Sequence, residues 1–303
     1  GGNYGTTCAR VGCMPSKLLI AAAEATHQAR HAGPFGVQVK EVTVDGAAVM
    51  ARVRRERDRF VGFVLETVEA IAPADRLLAT VKFQDAHTLV TEHGQLIHAR
   101  RMVIATGSIP VLPPVLKGLG AHLLTNENIF DLPTLPASLA VFGPGPLGME
   151  LAQAMGRLGV KVKVFGIGGG IAGIQDAAMR DYANTAFNAE FYLDASAEVK
   201  SARETATGVE IHYRHRDGAW HTEAFDHVLA ATGRAPHVAG LALEETGLPL
   251  DARGVPVFDR FTMQCGTSAI FMAGDASNDV PLLHEAADQG RIAGENAARY
   301  PDV

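Results

Sequence analysis

Only three cysteines, Cys8, Cys13 and Cys265, and a single tryptophan occur in 303 residues. That excludes the disulfide framework that staples small secreted domains, and with no secretory leader pattern at the start a reducing cytoplasm is the expected compartment. No apolar run approaches the ~20 residues that cross a bilayer as a helix, so no membrane segment is expected. A basic excess is missing too, with 27 Lys and Arg against 33 Asp and Glu. Phosphate backbones need clustered positive charge, so no nucleic-acid partner is expected. The one basic cluster, Arg52 to Arg59, alternates with Glu56 and Asp58 and leads into Phe60, Val61, Phe63 and Val64, the pattern of a solvated helix face. What remains is an average globular composition in a chain long enough for two domains with separate cores.

Against that background the two early cysteines stand out. They lie in Gly5-Thr-Thr-Cys-Ala-Arg-Val-Gly-Cys-Met-Pro-Ser-Lys17. Pro15 suits a first helical turn, and Ser16 to Arg30 is rich in Ala, Leu, Glu and Gln, so a helix is expected directly behind Cys13. At a helix N-terminus the partial positive charge and unpaired N–H groups favour a thiolate, which lowers a cysteine pKa and suits the sulfur to redox chemistry. Gly5 and Gly12 give freedom for a short loop that lets the two sulfurs bond. The spacing alone also admits half a zinc site or two small buried side chains. A zinc site needs two more Cys or His close by, none is near, and no metal is expected. Cys265, in the strand-like stretch 261–270, reads as a small buried residue.

Residues 15–72 read as helical and 77–105 as strands. A Pro-rich connector at 109–136, with Pro110, Pro113, Pro114, Pro133 and Pro136, reads as a crossing between domains. Then Ser138 to Phe142 is a short apolar strand, Gly143-Pro-Gly-Pro-Leu-Gly148 follows, Met149 to Leu158 is helical, and Val160 to Phe165 is a second strand. Strand, Gly-x-Gly-x-x-Gly, helix, strand is the context of a dinucleotide fingerprint. In it Gly143 permits the tight turn, Gly145 lets a pyrophosphate reach the backbone, and Gly148 lets helix and strand pack closely. Phosphates meet the helix N-terminus. Pro146, Leu147, Gly148 and Glu150, with Gly166 and Gly233, complete the candidate dinucleotide site. The acidic residue that usually ends the second strand is absent, because Val164-Phe165-Gly166 runs into Ile167-Gly-Gly-Gly170, so NADP is not excluded. His227-Val-Leu-Ala-Ala-Thr-Gly-Arg234 echoes Ile104-Ala-Thr-Gly107, which suggests two related nucleotide-binding units.

The segment Gly-x-x-x-Thr-Cys-x-x-x-x-Cys-x-Pro-Ser-Lys, the Gly143 fingerprint, the two Ala-Thr-Gly turns, Ala269 to Asp275 and Pro281 to Gly290 follow one another in order. Together they resemble the pyridine nucleotide-disulfide oxidoreductases, the flavoprotein family of dihydrolipoamide dehydrogenase, glutathione reductase and mercuric reductase. The resemblance implies an α/β fold with two Rossmann-like nucleotide-binding domains, for FAD and NAD(P), the FAD domain discontinuous. It divides the chain into 1–135 (FAD, first part), 136–234 (NAD(P)) and 235–303 (return to FAD). It implies that electrons pass between a dithiol such as dihydrolipoamide and NAD through a Cys8–Cys13 disulfide and FAD. Cys8 is then the interchange thiol and Cys13 the sulfur against the flavin. Lys17, paired with Glu150, is implied to lie near flavin N5, where a cation stabilises the reduced ring.

By the same resemblance the flavin site includes Gly2, Thr7, Cys8, Cys13 and Lys17, then Ala105, Thr106, Gly107 and Ser108. Gly274 and Asp275 follow, Asp275 on the ribityl chain, with Leu282, Leu283 and His284 under the ring. The ending Pro-Ser-Lys fits dihydrolipoamide dehydrogenase better than glutathione reductase, whose version ends in Pro-Lys-Lys. Arg10 stands where the family usually carries Asn, and Pro146 where many members carry Tyr or Ile. The chain begins after the place of the family's FAD Gly-x-Gly-x-x-Gly and stops where a dimerisation domain carrying a His-Glu acid-base pair would begin. A homodimer is implied for the longer protein, with membership of a 2-oxo acid dehydrogenase complex as an option. A mercuric reductase-like enzyme is the alternative substrate reading, and a catalytically inactive nucleotide-binding module the non-enzymatic one.

Overall fold

The structure, a computed structural model, describes residues 5–303. Thr6 accepts a hydrogen bond from the Ala9 N–H (3.0 Å) and opens α1 (Thr7–Val11). Gly12 ends it at a point where a Cβ would lie 2.8 Å from the Thr7 carbonyl oxygen, and α2 (Cys13–Arg30) starts at once. The loop expected between the cysteines is therefore a helical turn plus one glycine, and Arg10 belongs to that turn. Asp45 caps α3 (Gly46–Glu69) by accepting from the Ala48 N–H at 2.9 Å.

The strands then run β1 (Val81–Asp85), β2 (Thr88–Thr91), β3 (Leu96–His98), β4 (Met102–Ile104), β5 (Ser108–Pro110), β6 (Leu123–Leu124) and β7 (Ser138–Phe142). α4 (Pro146–Arg157), β8 (Lys161–Phe165), α5 (Ala177–Glu190) and β9 (Tyr192–Asp194) follow. β10 (Glu198–Thr205), β11 (Gly208–Arg214), β12 (Trp220–Phe225), β13 (His227–Ala230), β14 (Arg234–Pro236), β15 (Ile270–Met272) and α6 (Leu283–Arg299) complete the order. Among the described residues no helix is long and apolar enough to cross a membrane.

Two compact units result; one cut falls at 233/234, within a residue of the boundary expected at 234, while the cuts at 70/71 and 109/110 stand in place of the one expected at 135. One unit holds residues 5–70 and 110–233, the other 71–109 and 234–303. In the first, a parallel sheet runs β6-β13-β7-β8-β9, and β10-β11-β12 form an antiparallel meander. Strands covered on both faces read as continuous apolar runs, as Leu139 to Phe142 and Val228 to Ala230 do. One apolar cluster joins Leu19 and Ala23 of α2, Met50 and Val53 of α3, Val141 of β7, Leu151 and Met155 of α4 and Val164 of β8. Each buried Leu, Met or Val among them contributes about 1.5–3 kcal/mol by leaving water, so α2 and α3 are fixed to this sheet. The Pro-rich connector belongs here as well. It supplies the edge strand β6 and buries Leu116, Leu119, Ile129 and Phe130.

The basic face of α3 is solvated at Arg52, Arg55 and Arg59, as expected, and departs from that reading at Arg57. Arg57 is buried, paired with Asp58 (2.9 Å) and Asp131 (2.5 Å), and Arg52 donates to the Leu18 carbonyl at 3.1 Å. Arg54 donates to the Leu132 carbonyl. The buried Arg57 guanidinium has its charge satisfied locally by the two carboxylates.

In the second unit β1-β2-β3 form an antiparallel meander, β4 and β15 pair in parallel, and β5 lies beside β14. Its core gathers Met102, Ile104, Ile270, Met272 and Cys265. Cys265 makes one isolated bridge, to Phe258, instead of sitting in a strand, and burial pushes its thiol up to about 12. It is the packing residue the sequence suggested. Ala293 and Ala297 seat α6 on Phe271 and Ala273.

Candidate active site

The start of α2 brings the two cysteines together. Cys13 is its first residue and exposed, while Cys8, in α1, is buried, and both are free thiols. Burial pushes the Cys8 thiol up to about 11, helped by a hydrogen bond and charge from the Cys13 side chain. The N–H groups of Cys13 and Met14 pull the other way by facing the Cys8 sulfur, and they are outweighed. The first N–H groups of α2 thus face the Cys8 sulfur, and at Cys8 no thiolate is favoured. Desolvation of a charged sulfur exceeds what two amides return.

Four residues along α2 from Cys13, one turn of helix, stands Lys17. Its Nζ lies 2.7 Å from Glu150 Oε1, on α4, so the two residues singled out as partners meet. Thr7, the first residue of α1, is exposed.

α4 begins three residues earlier than expected, at Pro146, with Gly145 as its N-cap. Proline at the first position loses nothing, since that N–H has no intrahelical acceptor. The N–H groups of Leu147 and Gly148 also belong to this first turn and are free to face an anion. Gly143 has φ +104, and a Cβ there would meet the Ala231 carbonyl oxygen at 2.3 Å. At Gly148 a Cβ would fall 1.9 Å from the Gly143 carbonyl oxygen, whereas at Gly145 it would meet nothing within 4 Å. Two fingerprint glycines are therefore fixed by packing, and the middle one leaves open space. Gly233, at φ +101, closes the neighbouring turn, its carbonyl accepting from the Val111 N–H at 3.0 Å.

Gly166 explains the missing acid. A Cβ there would lie 2.5 Å from Pro144 Cγ and 2.8 Å from the Ala195 carbonyl oxygen, so no side chain fits. Beside it, at the carboxyl ends of β8 and β9, a cavity of about 300 Å³ is lined by Gly169, Arg180, Asp181, Asn184, Asp194, Ser196 and Arg216. Ligands of doubly wound sheets sit at this end of the strands. Gly169 belongs to the glycine run the sequence shows after β8, but Arg180, Asp181, Asn184, Asp194, Ser196 and Arg216 come from α5, the end of β9 and the β11–β12 turn, none of which carries a motif.

In the other unit Ser108 Oγ donates to Asp275 Oδ2 at 2.7 Å, and Arg234 Nε donates to Ser108 Oγ at 2.8 Å. Ala105 and Thr106 are exposed, and Gly107 has φ +73 with nothing within 4 Å of a Cβ. Gly274, at φ +67, donates its N–H to Gln289 Oε1 at 2.9 Å. Leu282 is the N-cap of α6, Leu283 opens it, and both are exposed, as is His284. Gly2 lies outside the described residues.

Comparison with known proteins follows the same lines. Residues 2–290 match the family described as pyridine nucleotide-disulphide oxidoreductase. A dihydrolipoyl dehydrogenase of Geobacillus stearothermophilus is 31% identical over 311 residues, covering 100% of this chain and 64% of the relative. A mercuric reductase of Shigella flexneri is 31% identical, with coverage of 97% and 53%. LpdA of Mycobacterium tuberculosis superposes with a TM-score of 0.78 at 25% identity, over 98% of this chain and 65% of that one. The HOCl-induced flavoprotein disulfide reductase RclA of Escherichia coli gives a TM-score of 0.77 at 23% identity, over 95% and 61%, a likeness of fold. The chain spans at most 64% of the length of these two curated relatives.

Proposed function

The chain belongs to the pyridine nucleotide-disulphide oxidoreductase family, and on that premise we propose that its protein oxidises a dithiol such as dihydrolipoamide and reduces NAD, using FAD and a Cys8–Cys13 disulfide. One observation carries the reading: the two sulfurs meet at the start of α2, and one turn later Lys17 is ion-paired with Glu150 of the fingerprint helix.

The residues fit the cofactors the family implies. Open space at Gly145 and the first-turn N–H groups of α4 suit a dinucleotide pyrophosphate. Open space at Gly107, with the carboxylate of Asp275 oriented by Ser108, suits FAD and its polyhydroxyl chain. FAD, when bound, supplies a two-electron acceptor between thiols and nicotinamide. Lys17 would hold a fixed positive charge beside it, and Glu150 keeps that lysine in place.

The cysteines' own chemistry is thiol–disulfide exchange. One thiolate of the substrate attacks Cys8 Sγ, the Cys8–Cys13 bond breaks, and Cys13 leaves as the thiolate. The second substrate thiol, deprotonated, attacks the mixed disulfide, so the substrate departs as a disulfide and Cys8 is released. Two electrons have then reached the cysteine pair and two protons have left the substrate. Cys8, whose burial favours the thiol, takes one proton back. Cys13, whose sulfur is exposed, would be the cysteine that faces the flavin. A cytoplasmic homodimer and membership of a 2-oxo acid dehydrogenase complex belong to the same proposal.

The test is turnover of the full-length, FAD-loaded protein with dihydrolipoamide and NAD, beside NADP and beside Hg(II) and glutathione disulfide as electron acceptors from NAD(P)H. Fastest turnover with dihydrolipoamide and NAD, abolished in Cys8→Ser, is expected. Preference for Hg(II) makes it a mercuric reductase, and turnover indifferent to Cys8→Ser overturns the redox role.

A further inference from the structure

A second cluster of metal-ligating side chains lies away from the cysteines, on the β11–β12 hairpin. Strand alternation places Tyr213 and His215 on one face, and the ladder sets His221 opposite Tyr213 and Glu223 opposite Ile211 on that face. Asp217, in the turn, is fixed by accepting from the Ala219 N–H at 2.8 Å through Oδ1. Its other oxygen, Oδ2, is 3.2 Å from His215 Nδ1 and 3.0 Å from His221 Nε2. All three donor atoms lie within 4.8 Å of one another.

Ligands on a tetrahedral ion with bonds of 2.0–2.1 Å sit about 3.4 Å apart. Both nitrogen-to-oxygen separations are already close to that value. The ring of His215 stacks on Tyr192 at 5.2 Å and 22°, which fixes its plane as a supporting shell does for a ligating imidazole. Of the nearby cations, Lys163 Nζ is held by Glu223 at 2.6 Å and by the Tyr213 hydroxyl at 2.7 Å, and Arg216 lies over the Tyr192 ring at 4.4 Å and donates to Asn188 Oδ1 and the Leu193 carbonyl. Asp217 is half exposed and both histidines partly so, leaving a coordination position toward solvent.

The geometry points to a binding site for a divalent transition ion of the Zn²⁺ class, ligated by His215, Asp217 and His221. Two imidazoles and one carboxylate suit Zn²⁺, Ni²⁺ or Cu²⁺, whereas Ca²⁺ and Mg²⁺ ask for oxygen throughout. A bound ion replaces the two contacts to Asp217 Oδ2 and the hydrogen bond that the Asp217 N–H donates to His215 Nδ1 (3.4 Å), and ties the turn to β12.

Calorimetric titration with Zn²⁺ tests this on the full-length protein, prepared without a polyhistidine tag and with Cys8 and Cys13 alkylated so that neither thiol binds metal. One equivalent is expected, weakened about tenfold or more in His215→Ala and in His221→Ala and unchanged in His93→Ala, an exposed histidine outside the cluster. A second reading needs no variant: substoichiometric Cu²⁺ in the unmutated protein gives an electron paramagnetic resonance spectrum split by two imidazole nitrogens. No saturable Zn²⁺ uptake, uptake indifferent to both histidine variants, or a copper spectrum without nitrogen splitting overturns the site.

Discussion

Two turns of this chain carry the same small-residue signature and are built by different forces. In the fingerprint turn, contact fixes the glycines, with a Cβ meeting backbone at 2.3 Å for Gly143 and 1.9 Å for Gly148. At Gly107 nothing lies within 4 Å, and at Gly274 the first neighbour is Ala286 Cβ at 3.5 Å. There glycine answers to backbone conformation alone, and Ser108, Asp275, Arg234 and Gln289 hold the turn by hydrogen bonds. A packed turn tolerates no added atom, while a polar one tolerates atoms and depends on its partners.

Gly148→Ala gives the largest expected effect. Helix and strand cannot separate without opening the core of Leu151 and Val141, so a loss of about 3 kcal/mol or more in urea unfolding is expected. Gly166→Asp comes next and sets sequence logic against packing. It restores the acid that usually ends the second strand, yet its Cβ meets Pro144 at 2.5 Å. Destabilisation by about 2 kcal/mol with no gain in NAD affinity is expected, and tighter NAD binding with unchanged stability would break the comparison.

Gly107→Ala should cost about 1–2 kcal/mol, the strain of φ +73 for a residue with a Cβ and nothing more. A loss as large as that of Gly148→Ala would erase the difference between the turns. Gly145→Ala should leave stability within about 0.5 kcal/mol, because the site is open. It should instead raise KM for the nicotinamide nucleotide by crowding the pyrophosphate, which steady-state kinetics of the full-length protein would read.

The cysteine site adds a pH-dependent comparison. Below the ordinary thiol pKa of 9.0 both folded and unfolded Cys8 are protonated. Between 9 and about 11 the unfolded thiol loses its proton while the folded one keeps it, so stability falls as pH rises through that window. The urea midpoint of the reduced protein should therefore exceed that of Cys8→Ser by less at about pH 10 than at pH 8. A gap that widens would contradict the burial of this sulfur.

The fingerprint, its flanking strands and the helix behind Cys13 were legible because each follows from local rules of turn, cap and hydrophobic period. The Lys17–Glu150 pair was legible only through motif position, since the two residues are far apart in sequence. Burial of Cys8 was not legible, because α1 depends on one threonine cap and a glycine break. The grouping of α2 with the parallel sheet was hidden as well, since Leu19 and Met155 look alike whichever sheet they cover. Nor does any motif mark β10 to β12, whose alternation reveals strands only once register is known.

The most direct test of the redox pair is reductive titration of the full-length, FAD-loaded protein with dithionite under anaerobic conditions. Uptake of about four electrons per FAD, two for the flavin and two for the Cys8–Cys13 disulfide, falling to about two in Cys13→Ser, is the predicted result. Uptake of about two electrons in the unmutated protein, with no change on Cys13→Ser, would contradict it.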